Sequence, residues 1–147
     1  MKTHRLMLLA ALAAALAACA SGPTTTTLHV VERATTDTVG DVAPASDSIG
    51  DTLGFANPVY DENNAAQVGT DNGFCLRTAA PGAWECVWTV TLSDGQLTVE
   101  GPFFDASDSV LAITGGTGAY KGASGQMTLH ARNAQGTEFD FTYEITK

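Results

Sequence analysis

The stretch "WECVWTVTLSDGQLTVEGPFF", Trp84–Phe104, decides which fold class we predict for this chain. In its first half Trp84, Cys86 and Trp88 recur at every second position, which is the pattern of a strand with one buried face. Asp94-Gly95 then marks a tight hairpin turn, and a second apolar run follows it. The stretch therefore predicts two antiparallel strands joined by a short turn.

The same period-two pattern continues on both sides of this hairpin. It occurs in the segments "LHVVERAT", "SVLAIT", "GQMTLHAR" and "TEFDFTYEI", and no segment after residue 27 is typical of a helix. Pro81-Gly82 and Asn133–Gly136 are further turn signals, whereas Thr36–Asp51 has little apolar pattern and reads as a long connection. About eight short strands with frequent turns predict an all-β antiparallel barrel or sandwich.

Five glycines occur in the segment Leu111–Gly125, "LAITGGTGAYKGASG". A phosphate-binding loop would need a Lys-Ser/Thr pair after its last glycine and a following helix, and neither is present. We instead expect a tight turn with positive φ angles at Gly115, Gly116 and Gly118. A bulge or bend is expected where Gly122 and Gly125 follow.

The N-terminus has the pattern of an export signal. A basic start is followed by 13 apolar residues, Leu6–Ala18, a length typical of a signal-peptide core. The tetrapeptide Leu16-Ala17-Ala18-Cys19 resembles the bacterial lipoprotein box, which predicts a signal peptide over residues 1–18 and lipidation of Cys19. Residues 19–27 would form a flexible tether and residues 28–147 the folded domain. An ordinary secretory signal with a chance cysteine is the alternative.

Net charge excludes one class of partner. Loss of residues 1–18 would leave five Lys and Arg against 16 Asp and Glu, a net charge of −11. Nucleic acids and anionic lipid headgroups are bound through a surplus of Lys and Arg, so we expect neither as a partner. Ala20 is not the aspartate that, in the lipoprotein pattern, retains proteins at an inner membrane. The predicted location is the outer membrane of a bacterial envelope, facing the periplasm.

Two cysteines remain after Cys19. Cys75 and Cys86 flank a turn signal, and a pair in an oxidising compartment is most simply a disulfide. Free buried thiols, or a reactive thiol in a pocket, are the alternatives. The spacing of His and Cys predicts no metal site.

One carboxylate is singled out by its position in the first strand. Leu28, Val30 and Glu32 share one side of that strand, so an inward Leu/Val face would turn Glu32 inward too. Burial would raise its pKa and make it a candidate general base or acid. In the alternative, Val31 faces inward and Glu32 is in solvent.

A family resemblance covers Leu28–Ile145. The segments "GDTLGFANPVYD", "VGTDNGFCL" and, most densely, "VEGPFFDASDSVLAITGGTGAYKGASGQ" resemble allene oxide cyclase and, more distantly, the dirigent proteins. The resemblance implies an eight-stranded antiparallel barrel, commonly trimeric, with an apolar cavity open at one end and no metal or cofactor. A barrel of that size can hold one small ligand.

The resemblance also implies roles for individual residues. The family glutamate that helps to shift electrons falls on Glu32, and the family asparagine that holds the epoxide oxygen falls on Asn57. The expected cavity-lining, substrate-binding residues are Phe55, Cys75, Trp84 and Phe103.

Three positions depart from the family pattern. Phe103 replaces a tyrosine, so a hydroxyl is lost, and Ala34 replaces an asparagine, so one oxygen-holding amide is lost. Cys86 replaces an alanine, and a Cys75–Cys86 disulfide would narrow the cavity. These departures predict that the barrel persists while its substrate differs.

Three functions are compatible with these features. The first is a cofactor-free cyclase or isomerase that acts on a hydrophobic small molecule. The second is a binding or carrier barrel for a lipid or other apolar ligand, held on a lipid tether. The third is a filled structural barrel. A cavity would separate the first two from the third, and turnover that depends on Glu32 would separate the first from the second.

Overall fold

The computed structural model describes residues 22–147, which form nine β-strands and no helix. The strands are β1 Thr25–Arg33, β2 Thr38–Gly40, β3 Thr52–Tyr60, β4 Gln67–Ala79, β5 Ala83–Leu92, β6 Gly95–Phe104, β7 Ser109–Gly118, β8 Ser124–Ala131 and β9 Glu138–Thr146. The predicted signal peptide, residues 1–18, and the predicted lipidation site, Cys19, lie outside the described residues. In residues 22–147 no helix is long and apolar enough to cross a membrane.

All pairings between neighbouring strands are antiparallel, and the sheet closes on itself. The hydrogen-bonded order is β1-β9-β8-β7-β6-β5-β4-β3-β2. Closure comes from a further pairing of β1 with β3, in which Val31 lies opposite Tyr60 and Glu32 opposite Val59. The eight strands β1 and β3–β9 therefore form a closed antiparallel barrel, which confirms the predicted fold class.

The inward face follows the period-two pattern. In β5 the side chains of Cys86, Trp88 and Val90 are buried, whereas the side chain of Glu85, which precedes Cys86, is exposed. In β9 the inward positions are Phe139, Phe141, Tyr143 and Ile145. Alternating residues point to opposite faces of a strand, so the two faces of the sheet separate core from surface.

Two boundaries differ from the predictions. β1 begins at Thr25, three residues before the predicted domain start, because Thr25–Thr27 pair with the last residues of β9. The predicted connection Thr36–Asp51 contains one short strand, β2, which pairs with β3. Both differences come from backbone pairing between distant segments, which the side-chain pattern does not report.

The glycine-rich segment is only partly the predicted turn. Gly118, Gly122 and Gly125 have positive φ angles of 59°, 80° and 123°. Gly115 and Gly116, however, are extended residues of β7, so the prediction of positive φ angles there was wrong. A Cβ on Gly116 would lie 2.5 Å from the carbonyl oxygen of Tyr120. A close backbone approach therefore explains this glycine.

A buried arginine fastens the loops at one end of the barrel. At this end lie the connections 34–51, 80–82, 105–108 and 132–137. The Arg77 guanidinium, only 4% exposed, forms bidentate pairs with Asp47 and Asp105, whose closest N···O distances are 2.7 Å and 2.6 Å. Asp105 also accepts from the Gly82 amide. These contacts join three connections to β4, and the guanidinium lowers the pKa of Asp105.

Candidate active site

Glu32 lies at the seam where the barrel closes. It is 5% exposed and occupies the inward face of β1, two residues after the core residue Val30. The seam places β3 beside β1, so that Glu32 lies opposite Val59. Asn57 is two residues before Val59 on β3. A carboxyl group is thereby placed in the barrel interior.

Asn57 positions this carboxyl group. Its Nδ2 donates to Glu32 Oε1 at 2.6 Å and to Asp37 Oδ1 at 2.7 Å. Its Oδ1 accepts from the Thr35 amide and from both the amide and the hydroxyl of Thr36, each at 2.9 Å. The side-chain amide has two donor hydrogens and both are used. The implied role of Asn57 as an oxygen ligand is therefore corrected, because the structure commits this side chain to Glu32, Asp37 and the backbone.

Asp71 is a second buried carboxyl group beside Glu32. It lies on β4 directly opposite Asn57 of β3 and is fully buried. Among residues 22–147, no group donates a well-formed hydrogen bond to either of its carboxyl oxygens. A carboxylate in such a position would be destabilised, whereas a protonated acid could donate to Glu32.

Burial separates the protonation states of the two carboxyls. Burial is the main cause that raises the pKa of Glu32 to about 7, and the charge of Asp37 adds to it, while hydrogen bonds from Asn57 and Asp71 oppose it. The pKa of Asp71 rises further, to about 9, because it is buried and lies beside Glu32. Near neutral pH the pair thus holds one acid, Asp71, and one group close to half ionised, Glu32.

These carboxyls open into a small cavity inside the barrel. The cavity is lined by Glu32, Asp37 and Asp71, by the apolar residues Leu53, Phe55, Trp88, Phe103, Leu129, Phe139 and Phe141, and by Cys75 and Cys86. Its volume is about 40 Å³ for the centre of a water-sized sphere, enough for a few water molecules. A larger ligand would have to extend toward the mouth or displace side chains.

A wider vestibule lies outside the cavity. It is formed by Phe104–Asp108 and His130–Gly136, and it shares Phe103, Leu129 and Phe139 with the cavity below. Measured in the same way, its volume is about 590 Å³. The three shared apolar side chains border both spaces, so the vestibule and the cavity adjoin one another.

Most predicted wall residues lie at the cavity, with one exception. Phe55, Cys75 and Phe103 line it. Trp84 is not part of that lining, and its ring instead packs under the Arg77 guanidinium, 4.7 Å from the ring centroid. The prediction of Trp84 as a cavity wall is corrected. Trp88, four residues further along the same face of β5, provides the indole ring of the wall.

A disulfide forms part of the wall. Cys75 and Cys86 lie opposite one another on β4 and β5, and their sulfurs are joined. Both residues are 2% exposed and face the cavity. The bridge occupies interior space, as expected for a cross-strand disulfide on the inward face.

Asp71 is a site residue that was not predicted from the sequence, although the sequence contains a signal for it. Every second residue of β4 lies on its inward face. Counting back from Cys75 gives Gly73 and Asp71, and counting forward gives Arg77. All except Gly73 are buried. Gly73 has its own reason, since a Cβ there would lie 2.3 Å from Trp88 Cβ. The turn-like composition of "VGTDNGF" hid this strand.

Comparisons with known proteins agree with this architecture. A family model described as allene oxide cyclase matches residues 28–141. A pyocyanin demethylase is 22% identical with a TM-score of 0.67, covering 79% of this chain and 98% of its own. The pterocarpan synthase dirigent protein GePTS1 is 17% identical with a TM-score of 0.66, covering 87% and 86%.

A third similar structure is AbnU, described as an exo-specific intermolecular Diels-Alderase. It is 13% identical with a TM-score of 0.71, and the match covers 86% of this chain and all of that one. Identities this low show a shared barrel rather than a shared reaction. The family match, in contrast, spans most of the chain, and the barrel described above is its structural counterpart. The protein therefore belongs to the allene oxide cyclase family.

Proposed function

We propose that this protein is a cofactor-free cyclase or isomerase that acts on a hydrophobic small molecule inside the barrel. The observation that carries the proposal is the buried pair Glu32 and Asp71 at an otherwise largely apolar cavity. Two carboxyls with separated protonation states provide a base and an acid at neutral pH. The pair can therefore move a proton within one bound molecule without an external reagent.

In this mechanism Glu32 is the base. Its ionised form accepts a proton from the substrate, and the hydrogen bond from Asn57 holds it in one orientation. Aromatic rings of Phe55, Trp88 and Phe141 surround the substrate, with Trp88 stacked on Phe141 at 5.5 Å between centroids. Exclusion of water by these rings strengthens electrostatic interactions at the reacting atoms.

The structural neighbours support a reaction in this barrel without naming the substrate. They are a demethylase, a pterocarpan synthase dirigent protein and a Diels-Alderase, which are associated with three different reactions in one architecture. The shared barrel thus accommodates several chemistries. For the present chain, the family and the carboxyl pair support the proposed cyclase or isomerase class.

The direct test offers the family reaction to the protein. A fatty-acid allene oxide is generated in the presence of the purified protein, and the cyclopentenone product is resolved by chiral chromatography. We expect an enantiomeric excess that is lost in Glu32→Gln, because glutamine keeps the shape of the side chain but cannot accept the proton. Racemic product from both proteins would exclude this substrate, and an equal excess from both would remove Glu32 from the mechanism.

A carrier function is the second candidate. The observation that favours it is the vestibule, whose volume exceeds that of the inner cavity and which holds neither Glu32 nor Asp71. An apolar ligand could be held there without reaction. A carrier would release its ligand chemically unchanged and with equal affinity from the protein and Glu32→Gln.

We further propose that the barrel is tethered to the periplasmic face of an outer membrane through a lipidated Cys19, and that three copies assemble. Two or more acyl chains give stable membrane anchoring. In bacterial cells Cys19→Ala should abolish acylation and release the protein into the soluble fraction. Acylation that persists in this variant would refute the tether. Light scattering of purified protein would test the trimer.

A further inference from the structure

Three polar side chains in the barrel interior lack a well-formed hydrogen bond among the described residues. They are Asp71 through both carboxyl oxygens, Trp88 through its indole Nε1 and Tyr143 through its hydroxyl. These residues are at most 3% exposed. Leaving such groups unpaired costs stability, so a cluster of them in a native fold calls for an explanation.

Two of the three groups belong to the cavity lining, and the third lies behind that lining on another strand. Asp71 and Trp88 line the cavity directly, since Trp88 lies opposite Gly73, the inward residue next to Asp71. Tyr143 lies behind the cavity lining, with its ring edge-on to Phe141 at 6.5 Å between centroids. Its hydroxyl is near enough for Trp88 and Asp71 to influence its pKa.

All three are uncharged hydrogen-bond donors near neutral pH. The pKa of Asp71 is raised to about 9, and burial raises that of Tyr143 well above its usual value. The indole nitrogen can only donate. A group of neutral donors at the inner part of an apolar cavity is suited to an oxygen acceptor, and least suited to a cation.

We infer that Asp71 and Trp88, supported from behind by Tyr143, bind a carbonyl or phenol oxygen of a neutral, mainly apolar ligand. The buried, unpaired state of the three side chains and the position of Asp71 and Trp88 in the cavity lining carry this inference. The binding of such an oxygen goes beyond the proposed function, whereas the identification of the bound ligand as the substrate rests on that function. The substrate would then be an apolar ketone, enone or phenol.

This arrangement gives a balanced isomerisation. With a β,γ-unsaturated ketone as substrate, Glu32 removes a proton from the carbon between the carbonyl and the C=C bond. The C–H electron pair forms a new C=C bond to the carbonyl carbon and the carbonyl π pair moves to oxygen, which gives a dienolate. The dienolate oxygen accepts hydrogen bonds from Trp88 and from Asp71, which becomes free to turn toward it because Glu32 is now protonated. Glu32 then returns the proton to the γ-carbon, the electron pair of the original C=C bond moves to the α,β position, and the carbonyl re-forms.

The test compares two probes of the same shape, acetophenone and α-methylstyrene, which differ in C=O against C=CH₂. Dissociation constants are measured by NMR titration of the purified full-length protein below pH 7. We expect acetophenone to bind at least about fivefold more tightly, as net hydrogen-bond contributions imply. The infrared carbonyl stretch of the bound ketone should lie below its value in an apolar solvent.

Variants assign the effect to the three donors. Tyr143→Phe and Trp88→Phe each remove one donor while keeping an aromatic ring, and both should lower the preference for acetophenone. Asp71→Leu should lower it too, whereas Asp71→Asn should preserve it because the amide still donates. Tyr60→Phe is the matched control and should change nothing, because the Tyr60 ring packs on the Arg33 guanidinium and does not line the cavity.

Two results would overturn the inference. One is equal affinity of the wild-type protein for both probes, with an unshifted carbonyl stretch. The other is a preference for acetophenone that Tyr143→Phe, Trp88→Phe and Asp71→Leu all leave intact. If the donors only hold a trapped water molecule, these variants would change stability without changing the preference, which also contradicts the inference. None of these measurements uses turnover, so they stand apart from the Glu32→Gln test.

Discussion

At the scale of single residues, the site depends on one amide. The Asn57 side chain donates two hydrogen bonds, to Glu32 and Asp37, and accepts three from the start of the long connection after β1. It therefore acts on the chemistry only through Glu32. Its removal should change both the protonation and the orientation of that carboxyl.

We predict that Asn57→Ala raises the pKa of Glu32 further, because the hydrogen bond from Asn57 is a cause that lowers it. The variant should also lose about 2–4 kcal/mol of unfolding free energy, since the amides of Thr35 and Thr36 lose their acceptor. Carboxyl ¹³C NMR titration measures the pKa, with Glu32→Gln identifying the signal. An unchanged or lower pKa would show that Asn57 does not stabilise the carboxylate.

At the scale of elements, β4 determines the shape of the cavity. Its inward face carries Gly73 between Asp71 and Cys75, and the missing side chain leaves room for the rings of Trp88 and Phe55. A glycine inside a strand often marks such a close approach. The cavity wall and the acid are thus placed by one strand.

We predict that Gly73→Ala is destabilising by about 2–4 kcal/mol and displaces Trp88, because the new Cβ would lie 2.3 Å from Trp88 Cβ and 2.6 Å from the Val87 carbonyl oxygen. Gly54→Ala in β3 is the control, since a Cβ there has no atom within 4 Å. Urea unfolding and tryptophan fluorescence measure the two effects. Equal stability of the two variants would contradict this packing argument.

At the scale of the whole molecule, the buried carboxyl pair should make stability fall as pH rises. Both pKa values are raised on folding, so the folded state holds protons that the unfolded chain releases near pH 4. Stability from the pair is complete below that pH and is lost as pH passes about 7 for Glu32 and about 9 for Asp71. The slope reaches about 1.4 kcal/mol per pH unit for each carboxyl.

Urea unfolding at pH 5, 7 and 9 tests this prediction. We expect Asp71→Asn to remove most of the decline between pH 7 and 9, and Glu32→Gln to remove about half of that between pH 5 and 7, where Asp71 contributes the other half. The groups acting on the pair are Asn57, Asp37 and Tyr143, and ordinary exposed carboxyls are already ionised above pH 5. A stability that is constant over this range in the wild-type protein would refute the assignment.

The sequence by itself determined most of the strands, the hairpin turn at Asp94-Gly95 and the inward face of β5, because these depend on local alternation and turn chemistry. Local pattern left a barrel or a sandwich open, and the closed barrel was implied by the family resemblance. The inward position of Glu32 was also within its reach, because period-two counting and family resemblance agree there. The cavity-lining positions of Phe55, Cys75 and Phe103 were implied by the family resemblance.

Tertiary structure alone decided the rest of the site. Pairing of β1 with β3 sets Glu32 beside Asn57, and the pairing of β3 with β4 adds Asp71. Register between distant strands cannot be read from local pattern, since it depends on how the whole sheet closes. The same register places Trp88 rather than Trp84 at the cavity. Burial then raises the pKa of each carboxyl, because desolvation depends on all the strands that surround it.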